Sequence, residues 1–248
     1  MRENHAKKKG QKPSLPIAQA RDNKFQLDFS NGAITKPNTL SNKTFVSYSL
    51  AELRDFIDWT PFFQTWELAG RFPRILEDEV VGEEATRLYK DANDMLDKIV
   101  AEDWLEARAV IGMWPANSVG DDIELYTDDS RSEVLSVVHS LRQQNKKAAG
   151  QPNFALADFV APKDSGVADY MGGFVVTAGL NIEAHIERYE ADHDDYNSIL
   201  LKALADRLAE AVAERMHQRV REEFWGYGAG EALSNDQLIK EEYRGILL

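Results

Sequence analysis

The stretch Ile57–Glu79 reads Ile-Asp-Trp-Thr-Pro-Phe-Phe-Gln-Thr-Trp-Glu-Leu-Ala-Gly-Arg-Phe-Pro-Arg-Ile-Leu-Glu-Asp-Glu. It gathers Trp59, Phe62, Phe63, Trp66 and Phe72 around one acid, Asp58, and two arginines, Arg71 and Arg74. Thr60 suits a helix cap and Pro61 a first helical position, which predicts a short helix running to about Leu68 and ended by Gly70. Phe62, Phe63 and Trp66 fall at helical spacing and are expected in the core. Asp58 has two readings. Just ahead of a helix, a carboxylate meets free backbone N–H groups and the positive end of the dipole, so it can be a cap or turn residue. Beside aromatic walls, it can be a ligand contact.

Outward from this cluster, Ser49 and Glu52 form a capping-box pattern ahead of Leu50, Leu53 and Ile57. On the other side, Glu83 to about Glu102 reads as a long helix with Ala85, Leu88, Ala92, Met95, Leu96 and Ile99 on one stripe. Ala109–Trp114 is β-prone and ends at Pro115, and Asp122–Tyr126 alternates strictly, so 115–120 is expected as a loop between two strands. Glu133–His139 can extend the sheet, and Phe154–Phe159 suits a strand or a short buried segment. Tyr170–Thr177 is the most strand-like run, and its paired glycines suggest a bulge or a close backbone approach. From Ile182 to about Trp225 the pattern is helical. Leu200, Leu204, Leu208, Val212, Met216, Val220 and Phe224 recur every four residues, a spacing that drifts around a 3.6-residue helix and demands cover over a wide arc. Gly226, Gly228 and Gly230 end it, and Ser234–Tyr243 is a final short helix. Strands in the middle with helices at both ends predict an α+β fold. Its sheet is expected to be central, mostly antiparallel and twisted, flanked by long helices, with the last long helix lying across it.

Residues 1–43 differ from the rest: a basic start (Arg2, Lys7, Lys8, Lys9, Lys12) is followed by Pro13, Pro16 and Pro37 in polar surroundings. They are expected to form an arm or linker, within which Phe25–Phe29 alternates like a strand, and 44–248 are expected to form the domain proper. The chain has 248 residues, 43% of them hydrophobic, enough for a large core. A net charge of −13 argues against a nucleic-acid partner. No apolar run spans a bilayer, so no membrane partner is expected. The absence of cysteine excludes disulfides and fits a reducing cytoplasm.

Other chemistry-bearing constellations are weak. His193 with Asp192, Asp194 and Asp195 suggests a metal site, but adjacent residues diverge on a helix, and a capped, solvated helix start explains them better. Asp206, Glu210 and Glu214 form an acidic row at four-residue spacing, which reads as a solvated helix face. Gly-x-Ser-x-Gly is absent, and Gly172-Gly173 is not a phosphate loop.

The Asp58–Phe63 motif, Asp-Trp-Thr-Pro-Phe-Phe, resembles the opening signature of the C-terminal reactivation domain of cobalamin-dependent methionine synthase. The segments Leu88–Leu96, Pro115–Asn117 with Gly120–Ile123, Leu141–Gln144, Leu156–Pro162, His193–Asn197, Lys202–Ala211 and Trp225–Tyr227 are similar to that family in the same order. The resemblance implies S-adenosylmethionine as ligand and Asp58, Glu210 and Glu241 as the acids that meet it, with no catalytic residue and no metal ligand. It implies that the domain presents S-adenosylmethionine for reductive methylation of cob(II)alamin, while a flavodoxin or flavin reductase supplies the electron. Cobalamin would be held by a domain outside this chain, with residues 1–43 as the linker from that domain, so the chain alone is not expected to make methionine. In the family, Gly-Ile continues into Arg-Pro-Ala-Pro-Gly-Tyr-Pro; here Gly245-Ile246 is followed by Leu247 and Leu248. Leu247 stands where the family has its arginine, which implies a domain incomplete at its C-terminus with weakened ligand binding. Two alternatives remain: a docking module for a cobalamin domain or reductase that no longer holds the ligand, and an independent carboxylate enzyme using Asp121, Asp122 and the His193 cluster.

Overall fold

A computed structural model of the chain describes residues 14–30, 34–231, 233–234, 237–238, 240 and 242–243. Among them are six α-helices: α1 (Ile17–Asp22), α2 (Leu50–Leu53), α3 (Trp59–Thr65), α4 (Gly82–Ala101), α5 (Ile182–Ala191) and α6 (Asp195–Arg219). Five strands, β1 (Asn42–Tyr48), β2 (Glu106–Val119), β3 (Asp122–Tyr126), β4 (Val134–His139) and β5 (Asp169–Leu180), form one sheet in the order β1-β2-β3-β4, with β5 on β2. The β1–β2, β2–β3 and β3–β4 pairings are antiparallel, so the fold is α+β as the sequence predicts. No described helix is long and apolar enough to cross a membrane.

Strand β2 corrects the expected loop at 115–120. It runs through Pro115 and turns only at Gly120-Asp121, where Gly120 takes φ +65°. The β1 ladder stops at Gly112 and the β3 ladder starts at Ala116. Pro115 thus belongs to neither of these two ladders, and neither needs the N–H it lacks.

The described residues divide into two compact units, one from 1–36 and 113–172, the other from 37–112 and 173–248. In the first, the alternation of β3 sends Ile123 and Leu125 onto Ala116, Ala157 and Val160, with Trp114, Val138 and Met171 against them. Beside this core lies a buried ion network. Arg142 has a fully buried side chain and donates to Asp158 through both terminal nitrogens (2.8 and 2.6 Å), to Asp121 through Nε (2.8 Å) and to the Asn153 carbonyl (2.6 Å). Asp158 lies in a 3₁₀ turn, Leu156–Phe159, so this stretch is not a strand; the turn is what aims the carboxylate at Arg142. Phe25–Phe29 is not a strand either. The Phe25 ring packs on Phe154 and Phe159 at 5.2 and 5.6 Å, and Leu15 N–H donates to the Gln144 carbonyl at 2.6 Å.

In the second unit, α4 buries the predicted stripe Ala85, Leu88, Ala92, Met95, Leu96 and Ile99. The helical run after Ile182 is broken at Asp192–Asp194. His193 takes φ +56°, and Asp194 caps α6 by accepting from Asn197 N–H at 3.0 Å. Short polar side chains compete for backbone N–H groups and so end one helix and start another. Helix α6 buries Leu200, Leu204, Leu208, Val212 and Met216. Its neighbours include the helices α2, α3, α4 and α5, and its Ala205 lies beside Gly179 of β5 in the sheet.

At its end α6 passes into a π-helical turn, Val220–Phe224, closed by Trp225 N–H donating to the Val220 carbonyl at 2.7 Å. The turn places fully buried Arg221 against buried His217, with Arg221 Nη1 donating to His217 Nδ1 at 3.0 Å. A guanidinium has no acceptor, so Nδ1 carries the lone pair and the imidazole is the neutral Nε2–H tautomer. Burial, followed by the Arg221 cation, pushes the His217 imidazole down to about 4. The expected Ser234–Tyr243 helix lies largely outside the described residues, with Gln237 and Leu238 helical.

Two outcomes follow from these packed charges. Asp158→Ala leaves Arg142 short of its best acceptor in a buried site and is expected to cost about 3 kcal/mol, read as a lowered urea midpoint at unchanged m-value. His217 binds a proton more weakly folded than unfolded. The unfolded state therefore takes up the extra proton between pH 6.5 and about 4, and stability is lost as pH falls through that window. The contribution is on the order of 3 kcal/mol, and the pH dependence of His217→Gln should lack it.

Candidate functional site

The Asp58 carboxylate caps α3. Its backbone is extended (φ −80°, ψ 110°), and Oδ1 accepts from Thr60 N–H at 2.9 Å. The helix therefore starts one residue after Asp58, and Thr60 is not its cap. Thr60 Oγ1 instead accepts from Phe72 N–H at 3.3 Å, tying the start of the helix to the returning chain. The helix stops at Thr65, earlier than Gly70 predicts, because Glu67 already turns left-handed at φ +59°.

Behind the cap lies the aromatic cluster. Phe62 and Phe63 are fully buried, and Trp59 is nearly so. Trp59 meets Phe62 edge-on at 5.3 Å, and Phe63 stacks on Phe72 at 6.3 Å. Tyr89 of α4 closes the cluster, edge-on to Trp59 at 4.8 Å and 5.2 Å from Phe72. Sequence reading missed Tyr89, although it follows Ala85 by one helical turn and so borders the apolar stripe. Trp66 is half-buried and pairs at 5.2 Å with Tyr196, which also went unnoticed. Tyr196 Oη donates to Asp91 at 2.7 Å, and burial with this bond pushes its hydroxyl up to about 12. The indole N–H of Trp66 is buried and meets no acceptor among the described residues.

The predicted site residues fall on different elements of the second unit. Asp58 is half-buried, and its Oδ2 accepts no hydrogen bond among the described residues. Glu210 is exposed on α6, the helix against which α3 packs, and no cation pairs with it among the described residues. Glu241 and Leu247 lie outside the described residues. Two carboxylates without a cation, on contacting elements, suit a positively charged ligand.

The rival constellations do not assemble. Asp121 is held by Arg21 at 2.7 Å and by Arg142, and Asp122 pairs with His139 at 3.0 Å. His193 is exposed, Asp194 is spent on the α6 cap, and no group of three metal-ligating side chains exists among the described residues.

Residues 49–247 match the family described as vitamin B12 dependent methionine synthase, activation domain. The chain belongs to this family. A crystal structure of the MetH reactivation domain bound to AdoHcy is 56% identical to it, with a TM-score of 0.90; the match covers 94% of this chain and 71% of that one. At this likeness the α+β architecture is that of the activation domain, a part of cobalamin-dependent methionine synthase.

The cap and the charge of Asp58 can be separated. Asp58→Ala should destabilise the fold by about 1 kcal/mol, while Asp58→Asn keeps a good cap and should stay within about 0.5 kcal/mol of the parent, both read from chemical denaturation.

Proposed function

We propose that this activation domain binds S-adenosylmethionine and presents it for reductive methylation of cob(II)alamin held by the cobalamin-binding domain of the same enzyme. The observation that carries the reading is the half-buried Asp58 carboxylate, one oxygen fixed by the α3 cap and the other accepting no hydrogen bond among the described residues, in a chain whose structural relative holds AdoHcy. The chemistry of the acids fits such a ligand, which bears an ammonium and a sulfonium. Bound, S-adenosylmethionine supplies the methyl group. The chain's own part is positioning. Asp58 offers a rigid acceptor to one cation, Glu210 adds negative charge from α6, and Glu241 completes the set of acids. The aromatic cluster behind Asp58 holds its backbone so that the free oxygen keeps one direction.

The rest of the assignment follows from the same role. A flavodoxin or flavin reductase supplies the electron, and the site of action is the cytoplasm. The parent activity is that of a 5-methyltetrahydrofolate–homocysteine methyltransferase, to which this chain contributes reactivation and not methionine formation by itself.

Calorimetry with S-adenosylmethionine tests the reading. The parent chain should bind weakly, and Asp58→Asn, stable but uncharged at this position, should bind roughly tenfold to a hundredfold more weakly still, as the loss of one charge-assisted bond requires. Equal binding by the two proteins removes Asp58 from the site. No binding by either favours a docking module without ligand.

A further inference from the structure

The first unit carries a cavity of about 220 Å³ lined by Asn117, Tyr126, Arg131, Lys163 and the loop 166–168. The acids discussed above, Asp58 and Glu210, belong to the second unit. The cavity is built around one cation. Arg131 sits in the loop between β3 and β4, where its N–H donates to the Asp128 carbonyl at 3.1 Å and its backbone turns left-handed at φ +54°. A residue with a side chain adopts that conformation only at a cost, and such outliers gather at ligand sites. Here the turn swings the half-buried guanidinium back onto β2. Nη1 donates to the Ala116 carbonyl at 3.0 Å and to Asn117 Oδ1 at 2.9 Å, and Nη2 donates to the Asp169 carbonyl at 2.9 Å. The rings of Tyr126 and Tyr170 have their centres 5.6 and 5.3 Å from the guanidinium carbon.

All three of these acceptors are neutral oxygens, so they fix the plane of the guanidinium without cancelling its charge. A guanidinium also carries more N–H donors than these bonds use. The acceptors are anchored in turn. Buried Asn117 donates through Nδ2 to the carbonyls of Ala161 and Val167, each at 2.9 Å, which aims its Oδ1 at Arg131 and pins the loop at the rim. The Asp169 carboxylate accepts from the N–H groups of Ala161 and Tyr170 at 2.8 and 2.7 Å, so that residue meets Arg131 with its carbonyl.

A second cation borders the same space. Lys163 Nζ lies 5.7 Å from the centre of the Tyr126 ring and pairs with Glu124 at 2.7 Å. Glu124 also accepts from the Tyr126 hydroxyl at 3.0 Å. One acid thus stands against two cations, in a chain whose net charge is −13. An arginine that merely closed a hairpin would be packed closely on its free side, whereas here a cavity is left beside it. Its volume falls below the range of about 300–1,000 Å³ that holds drug-sized ligands, and suits a single anionic group.

We propose that this cavity is an oxyanion site for the phosphate group of a small ligand, with Arg131 as the fixed donor and Lys163 as the second charge. A preorganised guanidinium in a partly desolvated setting is the donor that phosphate geometry matches best, and a neighbouring ammonium favours a dianion over a carboxylate. S-adenosylmethionine bears no phosphate, so the inference stands independently of the reading above.

Calorimetry and amide NMR on the full chain test it, with inorganic phosphate, acetate and chloride as probes at one ionic strength. Phosphate should bind in the millimolar range or tighter, acetate more weakly and chloride not at all, with shifted amides confined to the β3–β4 loop, Asn117 and the loop 163–168. Lys163→Gln should weaken phosphate binding roughly threefold and leave the urea midpoint unchanged, since an exposed pair contributes little to stability. Arg131→Lys, which loses the planar fork, should weaken it roughly tenfold. Ala168→Glu sets a carboxylate on the exposed rim and should abolish the phosphate response in a folded protein. If Arg131→Lys does not fold, the other two variants carry the test. No phosphate binding by the parent, shifts scattered over surface lysines, or parent-like binding in both Lys163→Gln and Ala168→Glu overturns the proposal. Acetate binding as tight as that of phosphate overturns the assignment to a phosphate group.

Discussion

The second unit depends on how α6 is covered. Each four-residue step along a helix advances about 40° around its axis, so the row from Leu200 to Met216 sweeps about 160°. All five members of that row are 1% exposed or less. A helix buried over so wide an arc needs neighbours on several sides, and α2, α3, α4 and α5 supply them. This one requirement seats α3, whose first turn is capped by Asp58. The arc that remains uncovered carries Glu210. The two acids that suit a cationic ligand are therefore consequences of one packing arrangement, not of a dedicated loop.

The two buried arginines show different uses of the same side chain. Arg142 is saturated: two carboxylates and a carbonyl take its donors, and it joins the hairpin turn at Asp121, the 3₁₀ turn at Asp158 and the loop at Asn153. These three places lie within or beside segments that are similar to the family, Gly120–Ile123, Leu141–Gln144 and Leu156–Pro162. A fully satisfied network of this kind fixes a single arrangement of loops that have little regular structure of their own. Arg221 differs: among the described residues its Nη2 meets no acceptor, and its neighbours are an imidazole, an aromatic ring and the Glu231 carboxylate.

Much of the architecture was legible from periodicity. The α4 stripe, the alternation of β3, the Ser49 cap and the need for wide cover around α6 all follow from spacings of 3.6 or 2 residues, which bury the same side chains whatever lies opposite. The resemblance carried by Asp58–Phe63 and the later segments placed the chain in its family before any contact was known. The misreadings share one cause. Pro115 ends a strand only if its N–H is needed, and the positions of the β1 and β3 ladders decide that. Phe25–Phe29 alternates like a strand and Phe154–Phe159 suits a strand or a short buried segment, but the Phe25 ring packs on Phe154 and Phe159 and neither stretch joins the sheet.

The sequence by itself determined the fold class, the helix faces and the family, because local spacing and composition act on neighbours along the chain. Only the tertiary structure decided which distant side chains meet. Tyr89 joins the aromatic cluster from α4, Tyr196 faces Trp66 from α6, and Arg221 meets Tyr243 across a π-helical turn. Such encounters depend on the crossing of whole elements and on a single extra residue in a helical turn. No spacing rule encodes them, since the partners lie far apart in sequence and meet only once the core has closed.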